Sequence, residues 1–217
     1  MIPIPLSRPD ITQREIDAVV DVLHTDTLSI GPKAVEFEKL CANLAGRRHG
    51  IAVSSGTAGL HCCLLALNIG PGDEVITPPN SFVASTAAII AVGASPVFAD
   101  VLPDQNIDPA AVEAAVTPRT KAIMPVHLTG RMADMNPLMA IADKHALAVI
   151  EDSAQAVGST YDGRMSGTIG TFGCFSAHPL KNLNAAGDAG FLVTADAELA
   201  ARIRRRRNHG LINRSDV

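Results

Sequence analysis

Helical and extended hydrophobic patterns alternate along most of this chain, and the extended ones are short, nearly unbroken apolar runs. A strand that is apolar at every position must be covered on both faces, which points to a mostly parallel sheet with helices on either side. Thr12 and Glu15 form a capping box ahead of Ile16, Val19, Val20 and Leu23, whose i, i+3, i+4, i+7 spacing predicts an amphipathic helix. A second helix is expected over 32–44, a strand over 50–53, and a helical stripe through Leu60, Cys63, Leu64 and Leu67. Strands are then expected over 74–77, 96–99 and 121–126, with a helix over 84–92. Asp108-Pro109 opens a helix to about 116 and Asn136-Pro137 another to about 145, each placing proline in a first turn. The run 146–150 reads as the next strand, 172–176 and 190–194 as two more, and 197–207 as an arginine-rich helix.

At 217 residues and 47% hydrophobic content the chain has material for one large core. No internal repeat or low-complexity linker divides it, so residues 1–217 read as one α/β domain of three αβα layers, with the N-terminal arm and helices of 1–48 packing onto it. The net charge of −4 supplies no global positive field for nucleic acid. Arg202 and Arg204 to Arg207 therefore read as a solvated helix face or as contacts to a substrate phosphate. The N-terminal Met1-Ile2-Pro3-Ile4-Pro5-Leu6 lacks a basic region and is broken by prolines, matching neither a signal peptide nor a membrane span; the expectation is a cytoplasmic protein. Cys41, Cys62, Cys63 and Cys174 show no metal-ligand spacing and read as buried reduced thiols, with no metal site expected.

Ligands of open α/β sheets lie beyond the carboxyl ends of the strands, and the residues with chemical potential fall there. Ser55-Gly56-Thr57 joins a strand to a helix whose free N–H groups suit a phosphate, although an ordinary turn has the same look. Phe82, after Pro78-Pro79-Asn80-Ser81, is either a platform for a planar ligand or a core ring. Asp152 comes just past a run of five apolar residues and Glu151, and Ser153, Ala154 and Gln155 follow it; a carboxylate so placed needs a cation or hydrogen-bond donors, such as a protonated pyridine nitrogen or a helix cap. Gln155 either reaches a cofactor oxygen or faces solvent. Ser176 either binds a phosphate or bonds to backbone. Lys181, among Ser176, His178, Asn182 and Asn184, sits in small polar surroundings unlike a charged helix face, which suits an amine for Schiff-base chemistry.

In combination and in this order these segments resemble the pyridoxal-phosphate sugar aminotransferases often called the DegT and StrS family. The resemblance spans the chain: Arg8-Pro9, Ser55-Gly56-Thr57-Ala58, Gly72 to Ile76, Ser81-Phe82-Val83-Ala84, Glu151 to Ala156, Gly170 to Gly173, Ser176 to Asn182, and Arg207-Asn208-His209-Gly210. It implies a fold-type I aminotransferase with pyridoxal 5′-phosphate as cofactor. Lys181 would be the Schiff-base lysine and proton carrier, Asp152 the partner of the ring nitrogen and Gln155 that of the ring oxygen. Gly56, Thr57 and Ser176 would hold the phosphate, and Phe82 would stack on the ring. It further implies an amino-acid donor, usually glutamate, a nucleotide-linked keto-sugar acceptor, and a homodimer with its sites at the interface. Ala177 and Ala189 depart from the family pattern at an aromatic and a glycine position, and neither removes a reacting group. Family members continue into a smaller C-terminal domain, largely absent from this sequence, so a truncated, catalytically silent protein that binds cofactor or partner is the alternative. The related sugar dehydratases replace the lysine with histidine, and Lys181 argues against that assignment.

Overall fold

A computed structural model of the chain describes residues 4–5 and 7–211. Seven strands form the central sheet: β1 (His49–Val53), β2 (Glu74–Thr77), β3 (Ser95–Phe98), β4 (Thr120–Ile123), β5 (Ala148–Asp152), β8 (Phe172–Ser176) and β9 (Gly190–Thr194), with β6 (Thr160–Tyr161) and β7 (Arg164–Met165) making a separate hairpin. The order across the sheet is β1-β9-β8-β5-β4-β2-β3. β9 runs antiparallel to both of its neighbours, so the other six strands all point the same way and end on the same edge.

The helices are α1 (Gln13–Leu23), α2 (Pro32–Leu44), α3 (Gly56–Ala66), α4 (Ala84–Ala91), α5 (Pro109–Ala115), α6 (Met135–His145) and α7 (Ala197–Arg206), with a single 3₁₀ turn at Leu128–Gly130. The unbroken apolar strands have the explanation the sequence suggests. Val75, Ala122 and Ile150 pack under Leu60, Leu64, Ile89 and Ile203 on the face covered by α3, α4 and α7. Their immediate neighbours Ile76, Ile123 and Val149 point the other way, against Val112, Leu138 and Ile141 of α5 and α6. At the β1 end α2 closes that second face: Phe37 meets Phe191 edge-on at 5.8 Å, and Phe175 stacks on Phe191 at 4.6 Å. By contrast, α1 buries none of its residues, and Ile16, Val19, Val20 and Leu23 are exposed.

Three details differ from the sequence reading. The strand expected over 146–150 lies two residues later, because Ala146 turns left-handed (φ 53°) to cap α6 and Leu147 N–H returns to the Ala142 carbonyl. Asp152 is consequently the last residue of β5, paired with Cys174 of β8. The strand expected over 121–126 ends at Ile123, since Pro125 has no N–H to continue the ladder, and Val126 rejoins it only as a bridge to Asp152. The unanticipated β6–β7 hairpin turns at Asp162-Gly163, both with positive φ (48° and 75°), as a type I′ turn requires. Arg202 and Arg204 of α7 and its C-cap Arg207 serve the fold: Arg202 donates to Ala66 O, Arg204 to Gly50 O, and Arg207 to Ala52 O and to the buried Glu38 carboxylate, while Arg205 and Arg206 are exposed. No helix among the described residues is long and apolar enough to cross a membrane.

Gly59 sets how closely α3 lies on the sheet. A Cβ there would stand 2.6 Å from Cys174 Sγ and 3.1 Å from Leu192 Cδ2. Alanine in a helix interior ordinarily gains about 1 kcal/mol over glycine. Here Gly59→Ala is expected to reverse that sign and destabilise the protein by about 1–3 kcal/mol through overpacking, measured by chemical denaturation.

Candidate active site

Of the six segments that leave the sheet at the shared edge, those after β1, β2, β4, β5 and β8 surround the candidate site. Between them lies a cavity of about 420 Å³. Gly56 and Thr57 after β1, Phe82 after β2, Asp152 and Gln155 from β5, and Ser176 and Lys181 from β8 all line it, so the seven residues singled out in the sequence come together around one cavity.

α3 begins at the cavity. Ser55 caps it by accepting Ala58 N–H on its hydroxyl (3.1 Å), while the first N–H groups of any helix lack an intrahelical partner. Those of Gly56 and Thr57 have none among the described residues. Glycines make this convergence possible. A Cβ on Gly56 would stand 3.1 Å from Ser176 Cβ, and one on Gly190 would stand 2.9 Å from Gly56 N. The Cys174 thiol fastens the junction from beneath, donating to Gly56 O at 3.2 Å. Burial pushes the Cys63 and Cys174 thiols well above the ordinary cysteine range, so both are inert packing groups. The helix dipole, two free N–H groups and the Ser176 hydroxyl make the corner a receptor for an anion.

Asp152 is buried behind this corner. Its Oδ2 accepts the Ser85 hydroxyl at 2.8 Å and its Oδ1 accepts Ala154 N–H at 3.2 Å. Burial raises its carboxyl above the usual aspartate range, opposed first by the Ser85 bond, then by the Ala154 bond and the nearby His127 ring and Lys181 amine. Gln155 is oriented by Thr129, whose N–H donates to Gln155 Oε1 at 2.9 Å. That bond assigns the amide: its NH₂ end remains to donate to a ligand oxygen. Phe82 is 68% exposed, which settles against a core ring. Lys181 is half-buried on the loop after β8 and joins no ion pair among the described residues.

Two supporting groups were not read from the sequence. Ser85 lies on the buried face of α4 with Ala88 and Ile89, and a polar residue at i on an apolar i, i+3, i+4 face is the signal that reveals it. His127 follows the fourth strand, where its side chain is fully buried and Nε2 stands 3.0 Å from Glu151 Oε2. Its Nδ1 accepts Ala133 N–H, so that nitrogen carries no proton and Nε2 is the donor to Glu151. The Glu151 carboxylate also accepts the N–H groups of Gly167, Ile169 and Gly170 at 2.6–2.8 Å, and Arg47 donates to the carbonyls of Thr168 and Gly170. The loop that feeds β8, and hence Ser176, is thereby held from both sides.

A family model for the DegT/DnrJ/EryC1/StrS aminotransferase family matches residues 9–216. The spore coat polysaccharide biosynthesis protein SpsC of Bacillus subtilis is 49% identical over 209 residues, covering 96% of this chain and 54% of that protein. The UDP-N-acetyl-3-dehydro-alpha-D-glucosamine 3-aminotransferase of Acidithiobacillus ferrooxidans is 50% identical over 192 residues, covering 87% and 52%. The sugar aminotransferase Spr1654 of Streptococcus pneumoniae, solved in a PLP form, superposes with a TM-score of 0.89 at 34% identity, covering 93% of this chain and 57% of that one. The chain thus spans about half the length of the curated relatives it matches.

The Glu151 clamp has a measurable consequence. Glu151→Gln turns an NH₂ group toward backbone donors and strands at least one of them in a buried site. We expect a loss of about 2–3 kcal/mol, a fall of about 5–10 °C in melting temperature for a chain of this size, read by calorimetry.

Proposed function

The chain belongs to the DegT/DnrJ/EryC1/StrS aminotransferase family, and from that premise we propose that it holds pyridoxal phosphate and moves an amino group from an amino acid, glutamate, to a nucleotide-linked keto-sugar. The fold is that of the fold-type I aminotransferases. The observation that carries the reading is Asp152: a buried carboxylate whose two oxygens already hold one donor each, facing a cavity that also presents an anion-binding corner and a half-buried amine.

The residues suit the cofactor's parts one by one. Gly56 and Thr57 N–H groups with the Ser176 hydroxyl suit its phosphate, and the Gln155 NH₂ its ring oxygen. Phe82 offers an uncovered aromatic face to the ring. Asp152 offers the negative charge that keeps the ring nitrogen protonated, and the cation in return removes the cost of burying that charge. When bound, pyridoxal phosphate supplies an aldehyde for Schiff-base exchange and a conjugated ring that accepts an electron pair. Lys181 supplies the amine for that exchange. Its Nζ would also be placed to take and return the proton at the substrate carbon.

The uncovered apolar residues support a homodimer. Ile16, Val19, Val20 and Leu23 on α1, with Phe82 and Val83 at the cavity mouth, form apolar surface that a second copy would bury. Multi-angle light scattering is expected to give twice the chain mass, and Val20→Asp with Leu23→Asp to shift the protein toward monomer. A monomeric parent protein contradicts the dimer.

Purified protein with added pyridoxal phosphate is expected to show a visible absorption band, and borohydride to fix the cofactor on Lys181, as read by peptide mass spectrometry. Glutamate should then bleach the band to that of the amine form. Lys181→Ala is expected to abolish both signals. Asp152→Asn should retain the phosphate grip while slowing the glutamate step on the order of 100-fold. A folded sample with no band contradicts the cofactor assignment, and a band indifferent to glutamate contradicts the transfer.

A further inference from the structure

We infer that Ser85 is a positioning residue for the cofactor site: its hydroxyl fixes the plane of the Asp152 carboxylate, favours its ionised form, and ties it to the helix that follows Phe82. The inference rests on the reading of Asp152 as the partner of a cationic ring, and it adds a residue that touches neither cofactor nor substrate.

The buried face of α4 is otherwise apolar, with Ala88 and Ile89 beside a fully buried Ser85. A buried serine costs desolvation unless its hydroxyl is bonded, and a helical serine commonly bonds to nearby backbone. Ser85 instead donates across the fold to Asp152 Oδ2 at 2.8 Å, 67 residues away in sequence. Its one proton is committed there, because the acceptor is a carboxylate. The nearby Ser81 hydroxyl, 3.4 Å from Ser85 Oγ, has a shorter acceptor of its own in Phe82 O at 2.9 Å. Ala154 N–H holds Oδ1, so two donors from different elements define the orientation of the carboxylate, and the loss of one frees it to rotate.

The same bond links two corners of the site. Ser85 lies one turn beyond Phe82, and its N–H returns to Phe82 O. The backbone of Phe82 and the carboxylate of Asp152 are therefore linked through one residue, Ser85. The other groups that bear on the charge of Asp152 are His127 on the segment after β4, Lys181 on the loop after β8, and the Cys174 thiol opposite it on β8. Of these and Ser85, only Ser85 donates a hydrogen bond to the carboxylate.

The test compares Ser85→Ala, Ser85→Cys and Ser85→Thr in the cofactor-free protein. The infrared carboxyl band of Asp152, identified by its loss in Asp152→Asn, is followed against pH. Removing a donor to the ionised form is expected to move the titration midpoint upward in Ser85→Ala. The midpoint should also rise in Ser85→Cys, which keeps the volume with a weak donor, and return toward the parent value in Ser85→Thr. Pyridoxal phosphate affinity should fall about tenfold in Ser85→Ala, as expected for a lost hydrogen bond to a charged group, and recover in Ser85→Thr. An unmoved midpoint in Ser85→Ala and Ser85→Cys overturns the inference; should Ser85→Ala not fold, Ser85→Cys alone decides it. The infrared arm needs no cofactor. Parent protein that shows the expected midpoints yet binds no pyridoxal phosphate therefore defeats the proposed function and leaves the role of Ser85 toward Asp152 standing.

Discussion

A carboxylate buried at the edge of a parallel sheet is the constraint on which the candidate site depends. Burial opposes the ionisation of Asp152, and the hydrogen bonds from Ser85 and Ala154 offset that only in part, leaving its carboxyl above the ordinary range. In an unliganded protein that is a stability cost. The linkage has a definite sign: a carboxyl with a raised folded-state value favours folding while it is protonated and loses that contribution as pH rises through its own midpoint. A cation delivered into the cavity reverses the balance, and binding of a protonated ring converts a destabilising feature into a source of affinity.

The sheet brings these groups together by ending six parallel strands on one edge, five of whose exits meet at the cavity. They supply a helix N-terminus after β1, an aromatic ring after β2, apolar lining from Val126 after β4, the carboxylate and the amide from β5, and a hydroxyl and an amine from β8. Glu151 and Asp152 are adjacent on β5 and do opposite work, since alternate residues of a strand point to opposite faces. Asp152 meets the cavity. Glu151 turns to the other side, where His127 and the N–H groups of Gly167, Ile169 and Gly170 saturate it and steady the approach to β8.

Much of this was legible from residue order. The alternating apolar runs gave the layers and the parallel sheet, because a strand buried on both faces leaves an unmistakable pattern, and the seven site residues meet at one cavity. What the pattern missed was governed by local backbone chemistry or by long-range bonds. The start of β5 was misplaced because the left-handed cap at Ala146 is built by an alanine that looks like any strand residue. Ser85 and His127 were overlooked because their partners lie 67 and 24 residues away, and only the folded chain shows where a buried polar group is satisfied. The exposed face of α1 has the periodicity of a packed helix, yet periodicity alone does not say whether its cover comes from the same chain.

The central claim is that Asp152 holds the ring nitrogen of pyridoxal phosphate in its protonated state. Nitrogen NMR of the protein loaded with cofactor labelled at that atom tests it most directly. A pyridinium signal that persists at neutral pH and disappears in Asp152→Asn is the predicted result. A nitrogen that is unprotonated in the parent protein, or protonated equally in both, contradicts the account.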